Sequence, residues 1–205
     1  ENLKPEKSYS LDFGLDKSFL EKNLDLSTTL FYMKYDDTIS NWASHTAGGS
    51  TYTIDNSAGK VENKGFEITG NLKTDFLNNI KFGYTFTDAY DGEDCDDPDY
   101  SCIDEMPVRV PRHLIQAKFS KKFERLSAHL TSKYQSNVRD YGNTNNGFKQ
   151  VILDAYSQFN FSVTANYFNY EVFFDVNNIF DENYAQAYQY SVNGREFNFG
   201  LKRKL

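Results

Sequence analysis

Apolar side chains recur at every second position through most of this chain, and that period constrains the fold more than any other feature. One example is the run of Ile80, Phe82, Tyr84 and Phe86, which alternates with polar residues and glycine. Successive side chains of a strand point to opposite faces, so the period predicts strands that are apolar on one face only. The sequence contains nine such segments, each of roughly ten residues, and no competing helical period. The chain is therefore predicted to be all-β.

The connections between the nine segments alternate in length. Short, polar connections fall near residues 19–22, 74–79, 121–124 and 165–169, and long ones near 37–60, 91–108, 137–149 and 182–193. Because antiparallel neighbours can be joined by tight turns, this alternation is typical of strands that run up and down in sequence order. It predicts an antiparallel meander with tight turns at one end and long loops at the other.

Two architectures suit such one-sided strands. A soluble sandwich or barrel packs the apolar face into a core, whereas a membrane barrel turns it to lipid and its polar face to a wet lumen. Lipid is favoured by a polar face rich in Asn, Gln, Thr, Asp and Glu, and by strands long enough to cross a bilayer at a tilt. Aromatic residues, 17% of the chain, also crowd the strand ends, where their rings suit the lipid–water boundary. They are Tyr32, Tyr35, Tyr90, Tyr134, Tyr156, Tyr167, Phe168, Tyr170 and Tyr184.

Composition and motif content exclude several function classes. The net charge of −7 disfavours a nucleic-acid binder, and no apolar run approaches the ~18 residues of a transmembrane helix. The sequence contains no P-loop, no G-x-G-x-x-G and no Ser-His-Asp pattern, so we expect no enzymatic activity. His45, His113 and His129 lack the spacing of a zinc site. The low mean hydropathy of −0.67 then reflects the lumen wall and the loops.

Five strings resemble the C-terminal half of the barrel of a TonB-dependent outer-membrane receptor, and they occur in the order of that family. They lie at residues 2–8 (NLKPEKS), 63–67 (NKGFE), 109–113 (RVPRH), 176–184 (VNNIFDENY) and 194–197 (GREF). Their order and the loop sizes look most like those of the cobalamin (vitamin B12) receptors. Receptors for catecholate siderophores share most of the strings.

The resemblance implies an outer-membrane barrel of about 22 strands with a plugged lumen. Residues 1–205 are then expected to be the C-terminal portion of that barrel, without the plug domain or the TonB box. The resemblance places residues 2–6 and the long loops outside the cell, and the short turns and the C-terminus in the periplasm. Nine strands with open edges would leave unpaired backbone groups in lipid, so we expect no transport by this segment alone.

By the same resemblance, the chain is part of a receptor and active transporter for cobalamin, energised through TonB. The alternatives are a receptor for ferric siderophores and a passive or structural barrel fragment; a soluble β-binding module is a further reading. The implied partners are a large nutrient chelate, the lipid bilayer, lipopolysaccharide, the TonB complex through the N-terminal part, and the barrel-insertion machinery. No nucleic acid is expected among them.

Three residues are candidates for two positions, an arginine and a tyrosine, that contact substrate in cobalamin receptors. They are Arg109 or Arg112, at the start of a strand that follows a long loop, and Tyr141 in the next outer loop. An arginine offers several donors to amide and phosphate oxygens, and a tyrosine ring stacks on a flat ligand. The alternative for both arginines is an ion pair with the acidic loop that precedes them.

That acidic loop, near residues 91–108, contains the only two cysteines of the chain. Because an extracellular loop is in an oxidising compartment, Cys95 and Cys102 are predicted to form a disulfide, with two free thiols as the alternative. The carboxylates around them offer oxygen ligands for weak Ca²⁺ binding, although the order of an EF-hand loop is absent. A solvated acidic tip without metal is the simpler expectation. We expect no cofactor.

Overall fold

The computed structural model describes residues 3–46, 49–56, 61–91, 107–144 and 147–203. In chain order its strands are β1 (Lys7–Phe19), β2 (Leu24–Asp36), β3 (Ile39–Thr46), β4 (Gly49–Asn56), β5 (Val61–Leu72), β6 (Asn79–Asp91), β7 (His113–Lys122), β8 (Leu126–Gln135), β9 (Val138–Thr144), β10 (Gly147–Leu153), β11 (Tyr156–Tyr167), β12 (Tyr170–Asn177), β13 (Ala185–Ala187), β14 (Tyr190–Ser191) and β15 (Glu196–Arg203). One short 3₁₀ segment, Leu20–Lys22, joins β1 to β2. No helix among these residues is long and apolar enough to cross a membrane.

Nine of the strands form one antiparallel sheet in the order β1-β2-β5-β6-β7-β8-β11-β12-β15. Within it, every strand pairs with the next of the nine in sequence, which confirms the predicted meander. The short connections fall where the sequence predicted them. In addition, the long connections contain three two-stranded hairpins, β3–β4, β9–β10 and β13–β14.

The registers divide the sheet into two faces of opposite character. On the outer face, one residue from each of the nine strands lies directly opposite the next, and all nine are apolar. This row is Phe19, Leu24, Leu72, Ile80, Phe119, Leu130, Phe161, Val176 and Phe197. In seven of these strands, the residue next to the apolar one points to the inner face. These seven residues form a second row, in which every residue is polar. This row is Ser18, Asp25, Asn71, Lys81, Lys118, Thr131 and Asn160.

The protein does not bury its own outer face. Among the described residues, the buried apolar side chains are Ala89, Val138, Leu153 and Tyr156. By contrast, Phe199 on the outer face is 83% exposed. A soluble domain of this size would enclose most of these side chains. The exposed band therefore fits a hydrocarbon environment, where an outer apolar face needs no protein cover.

Two of the strand-end tyrosines, Tyr35 and Tyr156, lie on the inner face and not at the outer boundary, so their predicted location was wrong. Tyr156 is 3% exposed and lies opposite Gln135 on the inner face, and its ring stacks on Tyr184 with 3.9 Å between centroids. Tyr35 also has the inner-face parity of β2. Hydrogen bonds hold Tyr156 on the inner face, because its hydroxyl donates to Gln135 Oε1 over 3.3 Å and accepts from Lys133 Nζ over 3.1 Å.

A pair of substitutions on β11 tests the division into faces. Val163 lies opposite Ala128 and Phe174 on the outer face, whereas the adjacent Ser162 lies opposite His129 and Asp175 on the inner face. In the complete natural polypeptide that contains residues 1–205, folded in phospholipid vesicles, Val163→Lys should lower the free energy of unfolding by about 2–4 kcal/mol, because a charge is placed in hydrocarbon. Ser162→Lys should cost less than about 1 kcal/mol, because its charge stays in water. Urea titration of the folded band on gels measures both, and equal costs would contradict the assignment.

Candidate functional site

The most enclosed part of the molecule lies at the long-loop end, around hairpin β9–β10. Arg139 and Asp140 of this hairpin are 2% and 1% exposed, and they are the largest fully buried side chains among the described residues. Buried charges are rare in proteins unless they are paired and hydrogen-bonded. Their burial shows that the loops pack against one another here and exclude solvent from both side chains.

The carboxylate of Asp140 joins three separate connections of the chain. Its Oδ1 accepts hydrogen bonds from Arg109 Nε over 3.0 Å and from the Tyr141 backbone N–H over 2.8 Å. Its Oδ2 accepts from the backbone N–H of Tyr188 over 2.6 Å. An ion pair of 2.9 Å between Arg109 and Asp140 Oδ1 completes the contact. We call Arg109, Asp140, Tyr141 and Tyr188 the Asp140 junction.

The junction keeps Asp140 ionised. Burial by itself would raise the pKa of this carboxyl, but the N–H of Tyr188, the guanidinium of Arg109 and the N–H of Tyr141 act in the opposite direction. The net effect is a pKa below the ordinary value. Each of these donors favours the charged form, which is the usual way a protein holds a buried carboxylate.

A glycine lets the β13–β14 hairpin approach the β9–β10 hairpin. The ring of Tyr188 lies directly on the backbone of Gly142, where an added Cβ would be 1.8 Å from Tyr188 Cδ1. Any other residue at position 142 would displace the ring. The next residue, Gln189, donates from Nε2 to the carbonyl of Asn143 over 3.3 Å. The two hairpins are thus joined by the Asp140 carboxylate, by ring packing and by a further hydrogen bond.

Of the three residues predicted to contact substrate, the structure brings two together. Arg109 is in the junction with a backbone φ of 61°, and its guanidinium is partly accessible, with the side chain 55% exposed. The Tyr141 hydroxyl accepts a hydrogen bond from Gln150 Nε2 over 3.1 Å, and the Arg139 guanidinium lies 5.8 Å from its ring centroid. Arg112 is elsewhere: it pairs over 3.7 Å with Asp88, which has the outer-face parity of β6.

Both arginines thus have acidic partners outside the predicted acidic loop. Cys95, Cys102 and residues 92–106 of that loop lie outside the described residues, so their disulfide and Ca²⁺ predictions stay predictions. In the part of the chain that is described, no three His, Cys, Asp or Glu side chains are grouped to hold a metal ion.

The segments VNNIFDENY and GREF are joined by the side chain of one aspartate, Asp181. Asn178 has a backbone φ of 51°, and its side chain exchanges two hydrogen bonds of 2.9 Å with the backbone of Glu182. Asparagine tolerates this left-handed conformation, which explains its place in the turn. Asp181 Oδ1 accepts from the Arg195 N–H over 2.6 Å. An added Cβ on Gly194 would lie 2.5 Å from that oxygen, so a larger residue there would displace the Asp181 carboxylate.

The string NLKPEKS holds the base of the β3–β4 hairpin. Asn56, the last residue of β4, accepts from the Lys4 N–H over 2.6 Å and donates to the carbonyls of Lys4 and Asp37 over 2.9 and 2.7 Å. Glu6 accepts from the Ile39 N–H over 2.8 Å, which fixes the start of β3. The motif residues of this string therefore anchor a loop instead of contacting a ligand.

The inner face borders an open hollow of about 960 Å³, away from the Asp140 junction. Its lining residues run from β1 to β11 and include the polar side chains Lys81, Lys118, Lys133 and Gln158 together with apolar residues such as Leu26 and Phe82. Asp16, Lys17 and Asp25 lie at the β1–β2 side of the lining, and Lys81, Lys118 and Lys133 lie at the β6–β8 side. This is the wet inner surface that the sequence predicted.

Comparison with known proteins identifies the family. Residues 1–179 match the family described as TonB dependent receptor-like, beta-barrel. The chain belongs to the TonB-dependent receptor family. Its members are receptors and transporters and not enzymes, and they are located in the bacterial outer membrane, which places this barrel segment there as well. No curated protein matches the chain.

Several solved receptors have the same fold. A pyoverdine outer-membrane receptor from Pseudomonas aeruginosa is 16% identical with a TM-score of 0.76, over 99% of this chain and 30% of its own. The ferric-catecholate import receptor Fiu from E. coli is 18% identical (TM-score 0.72), over 98% of this chain and 28% of its own. The siderophore receptor PiuA from Acinetobacter baumannii is 20% identical (TM-score 0.70), over 95% and 28%. The chain therefore spans less than a third of the length of each receptor.

Removal of the central carboxylate charge tests the junction. Asp140→Asn should lower the local stability of the joined loops by about 2–3 kcal/mol, because a charge-assisted bond to Arg109 is lost and an N–H donor replaces an acceptor. Hydrogen exchange at the backbone amides of Tyr141 and Tyr188 should then be faster by a factor of roughly 30–150. Asp154→Asn, which changes an exposed aspartate close by, is the control and should leave these amides unchanged. Equal effects of the two variants would contradict the role of Asp140.

The stability of the Asp140 junction should also depend on pH, and the lowered pKa of Asp140 fixes the direction of that dependence. Because the pKa of Asp140 is lowered in the folded state, its stabilising contribution is complete above its ordinary value of 3.8. The contribution should disappear as the pH falls through the lowered folded value. Carbon NMR of the Asp140 carboxyl should show a titration midpoint below 3.8. A midpoint above 3.8 would contradict the proposed hydrogen bonding.

Proposed function

We propose that this chain is the C-terminal portion of a TonB-energised outer-membrane receptor that takes up a ferric siderophore. Residues 1–205 supply a barrel wall of nine strands and four long connections. In the described residues, β1 and β15 each pair with a single strand of the sheet. Exposed strand edges are not tolerated in lipid, so we propose that further barrel strands close both edges. Energy coupling, in this proposal, belongs to the remainder of the receptor.

The observation that carries the proposal is the Asp140 junction at the long-loop end. It holds the partly exposed guanidinium of Arg109 on the same carboxylate oxygen that accepts the backbone N–H of Tyr141, so both residues are fixed within the joined loops. A ferric siderophore is a bulky chelate that offers oxygen acceptors and, often, aromatic rings. Such a ligand suits a positioned guanidinium and a tyrosine ring. Rigid presentation also reduces the entropy lost on binding.

The choice of siderophore over cobalamin is supported by the solved receptors of similar fold. Those described above are receptors for pyoverdine, for a ferric catecholate and for a siderophore. Cobalamin, the substrate implied by the resemblance, finds no such support, so we keep it as the reference ligand for the experiment. Loop sizes vary freely within one barrel architecture, and they are a poor guide to the ligand.

We further propose Arg109, and not Arg112, as the arginine that contacts the ligand. Arg112 pairs with Asp88, which has the outer-face parity of β6, so its guanidinium is directed away from the inner face. Arg109 is held by Asp140 among the joined loops. Near the rim, the outer face carrying Arg112 and Lys64 instead suits the bilayer surface and lipopolysaccharide. Assembly by the barrel-insertion machinery is part of the same proposal.

Ligand discrimination tests this function. The complete natural polypeptide that contains residues 1–205 should bind a ferric siderophore at least about tenfold more tightly than cobalamin in equilibrium titrations. Arg109→Gln should weaken siderophore binding by about tenfold, because one charge-assisted contact is lost. Arg125→Gln, at a short turn on the opposite end, is the matched control and should bind like the unmodified protein. Tighter binding of cobalamin, or no effect of Arg109→Gln, would contradict the proposal.

A further inference from the structure

Each of the four short turns presents one exposed apolar side chain. Leu20, Phe76, Phe123 and Phe168 each lie in a different turn, and they are 64%, 83%, 54% and 81% exposed. Apolar and aromatic side chains at strand ends suit the lipid–water boundary of any membrane barrel. The apolar residues alone therefore do not distinguish one short turn from another.

Positive charge does distinguish two of the turns. Residues 73–78 and 121–125 together have a net charge of +2, whereas the turns at 19–23 and 166–169 are each neutral. The complete chain has a net charge of −7, so this local excess runs against the composition of the protein. An anionic partner would be attracted to these two turns more strongly than to the other two.

Hydrogen bonds join the two positive turns to each other. Lys121 Nζ donates to the backbone carbonyl of Asp75 over 3.2 Å, and the backbone N–H of Lys122 donates to Asn78 Oδ1 over 2.5 Å. We call residues 73–78 and 121–125 the paired turns. They join β5 to β6 and β7 to β8, and each of these four strands has a neighbour on both sides. The paired turns are therefore away from the two open edges of the sheet.

Three lysines of the paired turns have no acidic partner in the described part of the chain. Lys73 and Lys122 are exposed, Lys121 is partly exposed, and none of the three forms an ion pair among the described residues. The other two charges of the second turn, those of Glu124 and Arg125, offset each other. The lysine ammonium groups are thus available to an external anion.

Lys121 directs this positive charge toward the lipid side of the sheet. It is two residues beyond Phe119 on β7 and therefore has the same outer-face parity. Its Nζ lies 5.8 Å from the centroid of the Phe123 ring. A lysine in this position keeps its aliphatic stem along apolar surface and its ammonium at the level of the headgroups. One phospholipid can then contact the ammonium with its phosphate and the ring with its acyl chains.

We propose that the paired turns bind an anionic phospholipid of the adjacent leaflet. Lys73, Lys121 and Lys122 donate to its phosphate, and Phe76 and Phe123 contact the acyl region. The family resemblance places the short turns in the periplasm, so the leaflet is the periplasmic one. The site uses the outer side of the sheet and does not depend on which ligand the outer loops bind.

Photo-crosslinking tests the site. In the complete natural polypeptide that contains residues 1–205, benzoylphenylalanine replaces Phe76, and the protein is reconstituted in vesicles with equal amounts of phosphatidylglycerol and phosphatidylcholine. Mass spectrometry then counts the lipid adducts. Phosphatidylglycerol adducts should exceed phosphatidylcholine adducts by at least about fivefold, because each lysine near the surface contributes about that factor to the attraction of anionic lipid. Higher salt should reduce the preference.

The same probe in place of Phe168 is the matched control, because that turn has a similarly exposed ring and no charge. There the two lipids should give adducts in about equal yield. Equal ratios at positions 76 and 168 would overturn the site and leave only a general apolar boundary.

Charge changes with the probe at position 76 complete the test. Lys121→Gln should lower the preference for phosphatidylglycerol by about fivefold, and Asp75→Asn should raise it. Lys149→Gln, an exposed lysine of hairpin β9–β10 at the opposite end, should leave it unchanged. An unchanged ratio in Lys121→Gln would contradict the proposal. Protection of the probe by a hexaglutamate peptide, without a preference for phosphatidylglycerol, would also overturn it and assign the lysines to an acidic protein.

Discussion

The structure depends on a single-layered sheet whose two faces require different surroundings. Backbone hydrogen bonds join the strands edge to edge, but they leave the side chains of both faces without cover. On the outer face, the apolar row that runs from Phe19 to Phe197 crosses all nine strands without a polar residue. The adjacent inner row, from Ser18 to Asn160, is polar throughout. Lipid on one side and water on the other satisfy both faces.

The connections at the long-loop end are stabilised in a different way from the strands. There the chain leaves the sheet, and its backbone groups need partners that strand pairing no longer provides. Side chains take over: Asn56 binds the first connection to the N-terminal segment, Asp140 joins three connections, and Asp181 binds the last connection to the turn before β15. Several strings that characterise the family are therefore devices that fix loops. Ligand contact is left to the side chains that these devices present.

The nine strands and their connections could be predicted from the sequence because alternation is a local property and each strand pairs with the next. The three loop hairpins could not: residues of β9 such as Val138, Arg139 and Asp140 are all buried, so no alternation distinguishes two faces there. The role of Asp140 was also beyond prediction, because Arg109 and Tyr188 lie 31 and 48 residues away along the chain. Tyr156 was misplaced for a similar reason, since its ring partner, Tyr184, comes from a distant connection.

The central claim is that the outer face contacts lipid and the inner face contacts water. Spin labels placed one at a time along β8, from Leu126 to Gln135, test it directly in the complete natural polypeptide that contains residues 1–205, reconstituted in phospholipid vesicles with Cys95 and Cys102 replaced by serine. Accessibility to oxygen, which concentrates in lipid, should peak at Leu126, Ala128 and Leu130, and accessibility to a water-soluble nickel chelate should peak at Ser127, His129 and Thr131. A period of two with the two probes in opposite phase would support the account. Parallel profiles for both probes, or nickel access at Leu130, would contradict it.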